Sequence, residues 1–363
     1  MKVYLETKDL SVGYGRSTII RHIDIQVVKG EVITLIGPNG AGKSTILKTI
    51  SGQLKKQSGE VFVESEAIHQ ISSMALAKKI AFVSTEKIHQ DMITCEEIVR
   101  LGRYPHTGSF GILTGEDIKK AEHALKLVNA YDIRDKDYRK ISDGQKQKIR
   151  IAMAICQEPD IIVLDEPTSF LDIRHKTEIL EILRGMADRG TAVIMSLHEL
   201  ELVRLVADKI LCVDDGKVMY YGECEAIYKD DFINRLFHVE NGGYAPKLGT
   251  VFMKKCETAP KVFVIGGNGA GIPVYMRLNK QKIPFATGIL QENDCDACFA
   301  REMTKYVVCT PPFENASDVE KEEALKLLDS CDKLIVAQQH FGTANRINES
   351  LLREAEKRKM EII

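Results

Sequence analysis

The sequence predicts an α/β protein built in two parts, on three observations. Short apolar runs alternate with segments of helical period along most of the chain. One of these runs ends in a glycine-rich loop that opens a helix. Near residues 241–260 a stretch rich in Gly and Pro interrupts the pattern, and a second alternation of strands and helices begins beyond it.

At 363 residues and roughly 150 residues per domain, two domains are expected, each large enough to bury its own core. Apolar residues make up 44% and charged residues 28%, the balance of an ordinary globular chain. Lys and Arg number 50 against 52 Asp and Glu, for a net charge of −2. That balance argues against nucleic acid or an anionic lipid surface as a partner. No apolar run reaches the roughly 18–20 residues that span a bilayer, and the opening MKVYLETKDL lacks a signal-peptide apolar region. Nine scattered cysteines, an odd number, do not form a disulfide framework. A reducing, cytoplasmic setting is the natural expectation.

In the first part, residues 32–36, 161–164 and 192–195 read as strands, and Ile118, Ala121, Leu125 and Val128 recur at the spacing of one buried helical stripe. The boundary is expected at 258/259, with a strand at 250–254 that can still belong to the first domain. Beyond it, 261–265, 284–290, 306–310 and 334–337 read as buried strands. Helices are expected near 271–281, 295–303, 320–331 and 345–358, the third marked by Ala324, Leu327, Leu328 and Cys331. This alternation implies a small parallel sheet with right-handed crossovers, that is, a Rossmann-like domain.

Residues 37–45, Gly-Pro-Asn-Gly-Ala-Gly-Lys-Ser-Thr, follow the strand at 32–36 and precede a helical pattern. This is G-x4-G-K-[ST] in the strand–loop–helix context that a phosphate-binding P-loop requires. Gly37, Asn39, Gly40 and Gly42 let backbone N–H groups converge on phosphate oxygens, and the helix N-terminus adds its partial positive charge. Lys43 is suited to the β- and γ-phosphates and Ser44 to Mg²⁺. Thr45 reads as helix packing or a weaker phosphate contact. The apolar run at 161–164 delivers Asp165 and Glu166 to a strand tip, where α/β sheets place their ligands. Asp165 is the candidate to hold the metal through water, and Glu166 to polarise an attacking water.

The order Tyr14, 37–44, Ile141-Ser142-Asp143-Gly144-Gln145, Leu164-Asp165-Glu166-Pro167, Ser169-Phe-Leu-Asp172 and Ser196-Leu-His198 resembles an ATP-binding cassette (ABC) ATPase. The resemblance covers residues 1 to about 255. It implies a P-loop NTPase domain with a helical subdomain, and a Tyr14 that stacks on adenine. It implies that Ser142, Gly144 and Gln145 face ATP held by a second copy of the chain, in a head-to-tail homodimer bridged by Asp172. It further implies that His198 contacts the γ-phosphate and supports Glu166 in catalysis. Leu76-Ala77-Lys-Lys-Ile-Ala-Phe-Val83 and Leu101-Gly-Arg103-Tyr-Pro105-His106-Thr-Gly108 are similar to importer ATPases for iron-siderophore, haem and cobalamin. In these the segment from about 93 to 140 docks under a membrane permease, which a substrate-binding protein supplies. The implied location is cytoplasmic, peripheral on the inner face of the membrane. A sensor ATPase whose second domain reads a metabolite is the alternative.

Two positions depart from that pattern. Ser84-Thr85-Glu86 stands where the family usually has a Gln that touches Mg²⁺ and the attacking water. Thr85 is too short to do both, which leaves Glu86 or Gln90 as substitutes, or a contact that runs through water. Asp143 stands where Gly is commonest and is expected to face away from triphosphate or to cap the following helix.

The resemblance does not reach the second domain. There Gly266-Gly-Asn-Gly-Ala-Gly271 lies between a strand and a helix without filling G-x-G-x-x-G. It reads either as a tight structural turn or as an anion site, with Glu292 at a distance suited to a ribose. Cys295 and Cys298 have metal or redox spacing, with Cys309 and His340 as further candidates. The plainer reading is a pair of ordinary cytosolic thiols. The domain as a whole reads as regulatory or dimer-supporting.

Overall fold

The computed structural model describes residues 2–84, 92–108, 111–229, 231–343 and 345–363. The chain divides into two compact units, Met1–Phe237 and His238–Ile363. The division falls before the expected 258/259, and the reason is packing. The strand Thr250–Phe252 pairs with Gly243–Ala245, and Phe252 meets Phe299 edge-on within the core of the second unit.

In the first unit, Lys209–Asp214, Val32–Ile36, Ala192–Ser196, Ile161–Leu164 and Ile80–Val83 lie side by side in that order, all parallel. The three central strands are buried along their whole length, as β-branched runs covered on both faces must be. An antiparallel layer of Val3–Tyr14, Ser17–Ile23, Gln26–Val28 and Ser58–Val63 continues the sheet. The sequence reading did not anticipate this layer.

The helical subdomain contains Cys95–Leu101, Gly115–Leu127 and Asp143–Cys156, each opened by a reciprocal capping box at Thr94, Thr114 or Ser142. Ala121, Leu125 and Val128 are buried as the spacing predicts, joined by Ala124, while Ile118 lies at the margin. Arg103 is not a surface residue. Its Nε donates to Asp117 Oδ1 at 2.8 Å, and its Nη1 donates to the Cys156 carbonyl at 2.7 Å and to Glu158 Oε2 at 2.9 Å. His106 Nε2 lies 2.9 Å from the Gln157 carbonyl. Both residues therefore tie the subdomain together.

Removing Arg103 strands a buried carboxylate. Arg103→Ala is expected to lower unfolding free energy by about 3–5 kcal/mol, read by urea titration. Hydrogen bonds from Thr114 and Arg103 hold Asp117 well below the usual carboxylate range. Its contribution is therefore present above the unfolded value, about pH 4, and is lost as pH falls toward the folded value. An unchanged urea midpoint would remove the structural assignment.

The second unit is a five-stranded parallel sheet in the order Val307–Thr310, Phe285–Gln291, Val262–Ile265, Lys333–Val336, Glu361–Ile362. By sequence rank this is 3-2-1-4-5, the Rossmann-like order. Helices Ile272–Lys280 and Cys295–Met303 pack on one face, and Asp318–Asp329 and Ile347–Lys357 on the other. The predicted elements all occur, shifted by a residue or two. Glu361–Ile362 is a fifth strand too short to register in the pattern.

Candidate functional site

Strand order builds the site. Because Val32–Ile36, Ala192–Ser196 and Ile161–Leu164 are parallel neighbours, their carboxyl ends bring together the loop at 37–42, Ser196 and His198, and Asp165 and Glu166. These segments are far apart in sequence.

The loop conformation requires its glycines at two places. Gly37 has φ 150°, and a Cβ there would run into the Val213 carbonyl oxygen. Gly42 has φ 100°, and a Cβ would lie 2.7 Å from Ile19 Cγ2 and 2.8 Å from Ile20 Cδ1. Gly40 also adopts positive φ, and Asn39 is exposed beside it. Gly42 caps the helix Lys43–Ile50 with no side chain in the way, so the first N–H groups are open to an anion. Lys43 is buried. Its Nζ donates to the carbonyls of Gly37 at 2.7 Å and Pro38 at 3.0 Å. Burial pulls its ammonium below the usual range, against the attraction of Glu166 and Asp165. Thr45 is buried, and its carbonyl accepts from Thr49 Oγ1 at 2.8 Å.

Ser44 Oγ donates to Asp165 Oδ1 at 3.0 Å, and Ser196 Oγ donates to the same oxygen at 2.8 Å. Ser196 Oγ also accepts from the Glu166 backbone N–H at 2.9 Å, holding Glu166 at φ 48°. A positive φ at a glutamate is the kind of backbone strain that collects at functional sites. His198 Nε2 lies 2.6 Å from Glu166 Oε1, and Ser169 Oγ donates to Oε2 at 2.8 Å. Burial would raise the Glu166 carboxyl, but the His198 and Ser169 hydrogen bonds outweigh it and hold it below the usual value. The carboxylate is thus ionised at neutral pH, and His198 donates to it. Sequence reasoning missed Ser196 and Ser169 as positioning groups. The only signal for Ser196 was a hydroxyl at the end of the strand that leads into His198.

The segment 141–145 is held by contacts of its own. Ser142 Oγ accepts from the Gln145 N–H at 3.3 Å, and Gln145 Oε1 accepts from the Ser142 N–H at 3.1 Å. Ser142 is therefore the helix cap. Asp143 occupies the first helical turn, exposed and paired with Lys146 at 3.4 Å, so it faces solvent and is not the cap. Asp172 caps the helix Ile173–Asp188 and is largely exposed. Tyr14 ends its strand half exposed, free to stack on a planar ring. Thr85, Glu86 and Gln90 lie outside the described residues.

In the second unit the glycine loop is already filled. The buried Asp296 carboxylate accepts from the N–H groups of Gly267, Gly271 (2.8 Å) and Ile272 (3.1 Å), and Asp294 accepts from Asn268 N–H at 2.9 Å. An internal carboxylate sits where a phosphate would, so the structural-turn reading holds and the anion reading falls. Glu292 pairs with Arg301 at 3.3 Å. Among the described residues, Asp294, Cys295 and Asp296 are the one group of three candidate metal ligands within 4.8 Å. Cys298, Cys309 and His340 do not join it, and both Asp residues are engaged by backbone N–H groups. Asp296→Ala would orphan three N–H groups and is expected to destabilise the second unit by about 3 kcal/mol. Faster amide hydrogen exchange across 261–280 would register the loss; unchanged exchange would contradict it.

A family profile described as ABC transporter matches residues 20–169, and one described as the MJ0874 family matches 285–363. The uncharacterized ABC transporter ATP-binding protein MJ0873 of Methanocaldococcus jannaschii is 40% identical over 288 residues, 79% of this chain and 99% of that protein. The iron(3+)-hydroxamate import ATP-binding protein FhuC of Bacillus subtilis is 34% identical over 237 residues, 65% of this chain and 88% of its own. The cobalamin import ATP-binding protein BtuD of Halobacterium salinarum is 28% identical over 330 residues, 89% and 82% of the two chains. Among solved structures, the dimeric cassette MJ0796 superposes with TM-score 0.54 at 25% identity, covering 61% of this chain and 98% of that one.

Proposed function

The chain belongs to the ABC transporter ATP-binding proteins, and we propose that it is the ATP-hydrolysing subunit energising import of a large metal chelate through a separate membrane permease. The observation that carries the catalytic reading is the ring of contacts joining Ser44, Asp165, Ser196, Glu166 and His198 at the mouth of the glycine loop.

The loop N–H groups and Lys43 would cradle the triphosphate, with Lys43 exchanging its two carbonyl partners for phosphate oxygens. Ser44 Oγ and Asp165 are hard oxygen donors 3.0 Å apart, a donor set that suits Mg²⁺. Bound there, Mg²⁺ would neutralise charge on the phosphate oxygens. Glu166, ionised and aimed by His198 and Ser169, orients and deprotonates the attacking water. Tyr14 would stack on adenine. Ser142, Gly144 and Asp172 would contact ATP held by a second copy of the chain, so that each site is completed in the dimer. Phe170 and Ile173, 95% and 80% exposed beside Asp172, supply apolar surface for that dimer.

On the helical subdomain Leu101, Tyr104 and Ile112 are exposed, which suits docking to a permease at the inner face of a membrane. No helix among the described residues is long and apolar enough to cross one. Among chelates, cobalamin is favoured. The similarity to the Halobacterium cobalamin import protein spans 330 residues, more than the first unit contains, so it runs into the second unit. The match to the hydroxamate import protein, 237 residues long, fits within the first unit alone.

The test is phosphate release by the purified chain with ATP and Mg²⁺, before and after adding its permease. Hydrolysis that rises with permease supports the reading. No hydrolysis in either condition would overturn it.

A further inference from the structure

The helices Asp143–Cys156 and Ile173–Asp188 touch at two points one turn apart. At Gly144 a Cβ would lie 2.9 Å from His175 Cδ2 and 3.1 Å from its Cγ. The imidazole ring therefore rests on the glycine backbone, and only hydrogen fits between them. Four residues on, Lys148 Nζ lies 2.8 Å from Glu178 Oε2, with Lys148 almost fully buried. That ion pair sits three residues past His175, on the same face of its helix.

His175 also reaches backward. Its Nδ1 lies 2.8 Å from Asp172 Oδ1, which accepts the His175 backbone N–H at 2.9 Å. One side chain thus spans from the segment 142–144, in the helical subdomain, to Asp172, in the parallel-sheet layer. The ring is rigid, with a packing face and a hydrogen-bonding edge. A flexible side chain could make either contact but would not fix the distance between them.

We propose that His175, backed by the Lys148–Glu178 pair, is a positioning residue that sets the spacing between Ser142–Gly144 and Asp172, so that the two dimer-facing segments of one protomer engage its partner as a unit. The inference rests on the dimeric ATPase reading above and adds a residue to it. Among the described residues, the hydrogen bonds of Lys43, Ser44, Asp165, Glu166 and His198 do not involve His175, so a change there should leave ATP capture intact and disturb only the step that needs two chains.

The experiment uses the full chain carrying Glu166→Gln, in which ATP persists. ATP-driven dimerisation is followed by sedimentation velocity, and nucleotide capture by a fluorescent ATP analogue. Adding His175→Ala is expected to raise the ATP concentration for half-dimerisation about tenfold, a shift of about 1.4 kcal/mol, with analogue affinity unchanged. His175→Asn, which keeps a donor for Asp172 but loses the ring, should fall between. Lys148→Glu and Glu178→Lys should each weaken dimerisation, and the swapped pair should recover it. With Glu166 intact, His175→Ala should lower kcat more than it raises KM for ATP.

Dimerisation of His175→Ala at the parental ATP concentration would overturn the inference. So would an equal loss of analogue affinity, which marks a general structural role. If the Glu166→Gln parent itself stays monomeric with ATP, the dimeric reading fails and this inference falls with it; a parent that dimerises confines any failure to His175.

Discussion

Replacing Glu166 by Gln is expected to lower steady-state ATP hydrolysis by about 10²–10⁴-fold while nucleotide affinity stays within a few-fold of the parent. The amide keeps the size of the carboxylate; its oxygen can still accept from His198 while its NH2 donates to Ser169 Oγ, so the strained turn at φ 48° and its tie to Ser196 should survive. What disappears is the negative charge that takes a proton from water. The parent enzyme should show the matching pH dependence. Since hydrogen bonds hold Glu166 below its ordinary value of 4.5, the base form is complete throughout the neutral range, and this group's acid limb should lie below pH 4.5. Phosphate release across pH, with analogue binding measured in parallel, checks both points. Parental turnover in Glu166→Gln would remove Glu166 from the mechanism.

Lys43→Ala should act at the preceding step. The ammonium is buried against two carbonyls and is poised to move onto phosphate. Charge-assisted hydrogen bonds contribute about 1.5–3 kcal/mol each, so losing two should weaken ATP binding by about 10²–10⁴-fold. The variant also leaves the Gly37 and Pro38 carbonyls without their donor, so circular dichroism and thermal unfolding should accompany the titration. A folded variant that binds ATP analogue weakly is the expected result; parental affinity would contradict the phosphate-site assignment.

How far the sequence carried this picture depends on the range of each interaction. The glycine loop was readable because a strand, a turn and a helix N-terminus are specified by adjacent residues. The same holds for the tip at Asp165 and Glu166 and for the helices of the second unit. What joins these pieces is strand order, and the sequence carries no local mark that Ala192–Ser196 lies between Val32–Ile36 and Ile161–Leu164. Ser196 therefore could not be recognised as the hydroxyl shared by Asp165 and the Glu166 N–H.

The second unit shows the same limit from the other side. Its glycine loop reads either as a turn or as an anion site until Asp296, 25 residues beyond Gly271, is seen to fill it. The structural role of Arg103 was not legible because the three partners that bury it, at 117, 156 and 158, lie on other segments. The division at 237/238 was missed because Gly and Pro signal flexible backbone, whereas Phe252 commits that stretch to the second core.

On the proposed function, ATP hydrolysis by this chain drives a chelate across a membrane. That coupling is tested most directly by uptake of labelled cobalamin into proteoliposomes holding the chain, its permease and a substrate-binding protein. The expected result is uptake that requires ATP inside the leaflet face bearing the chain, is abolished by Glu166→Gln, and exceeds uptake of a ferric hydroxamate. Uptake that is indifferent to ATP or to Glu166→Gln, or ATP hydrolysis without accumulation of any chelate, would contradict it.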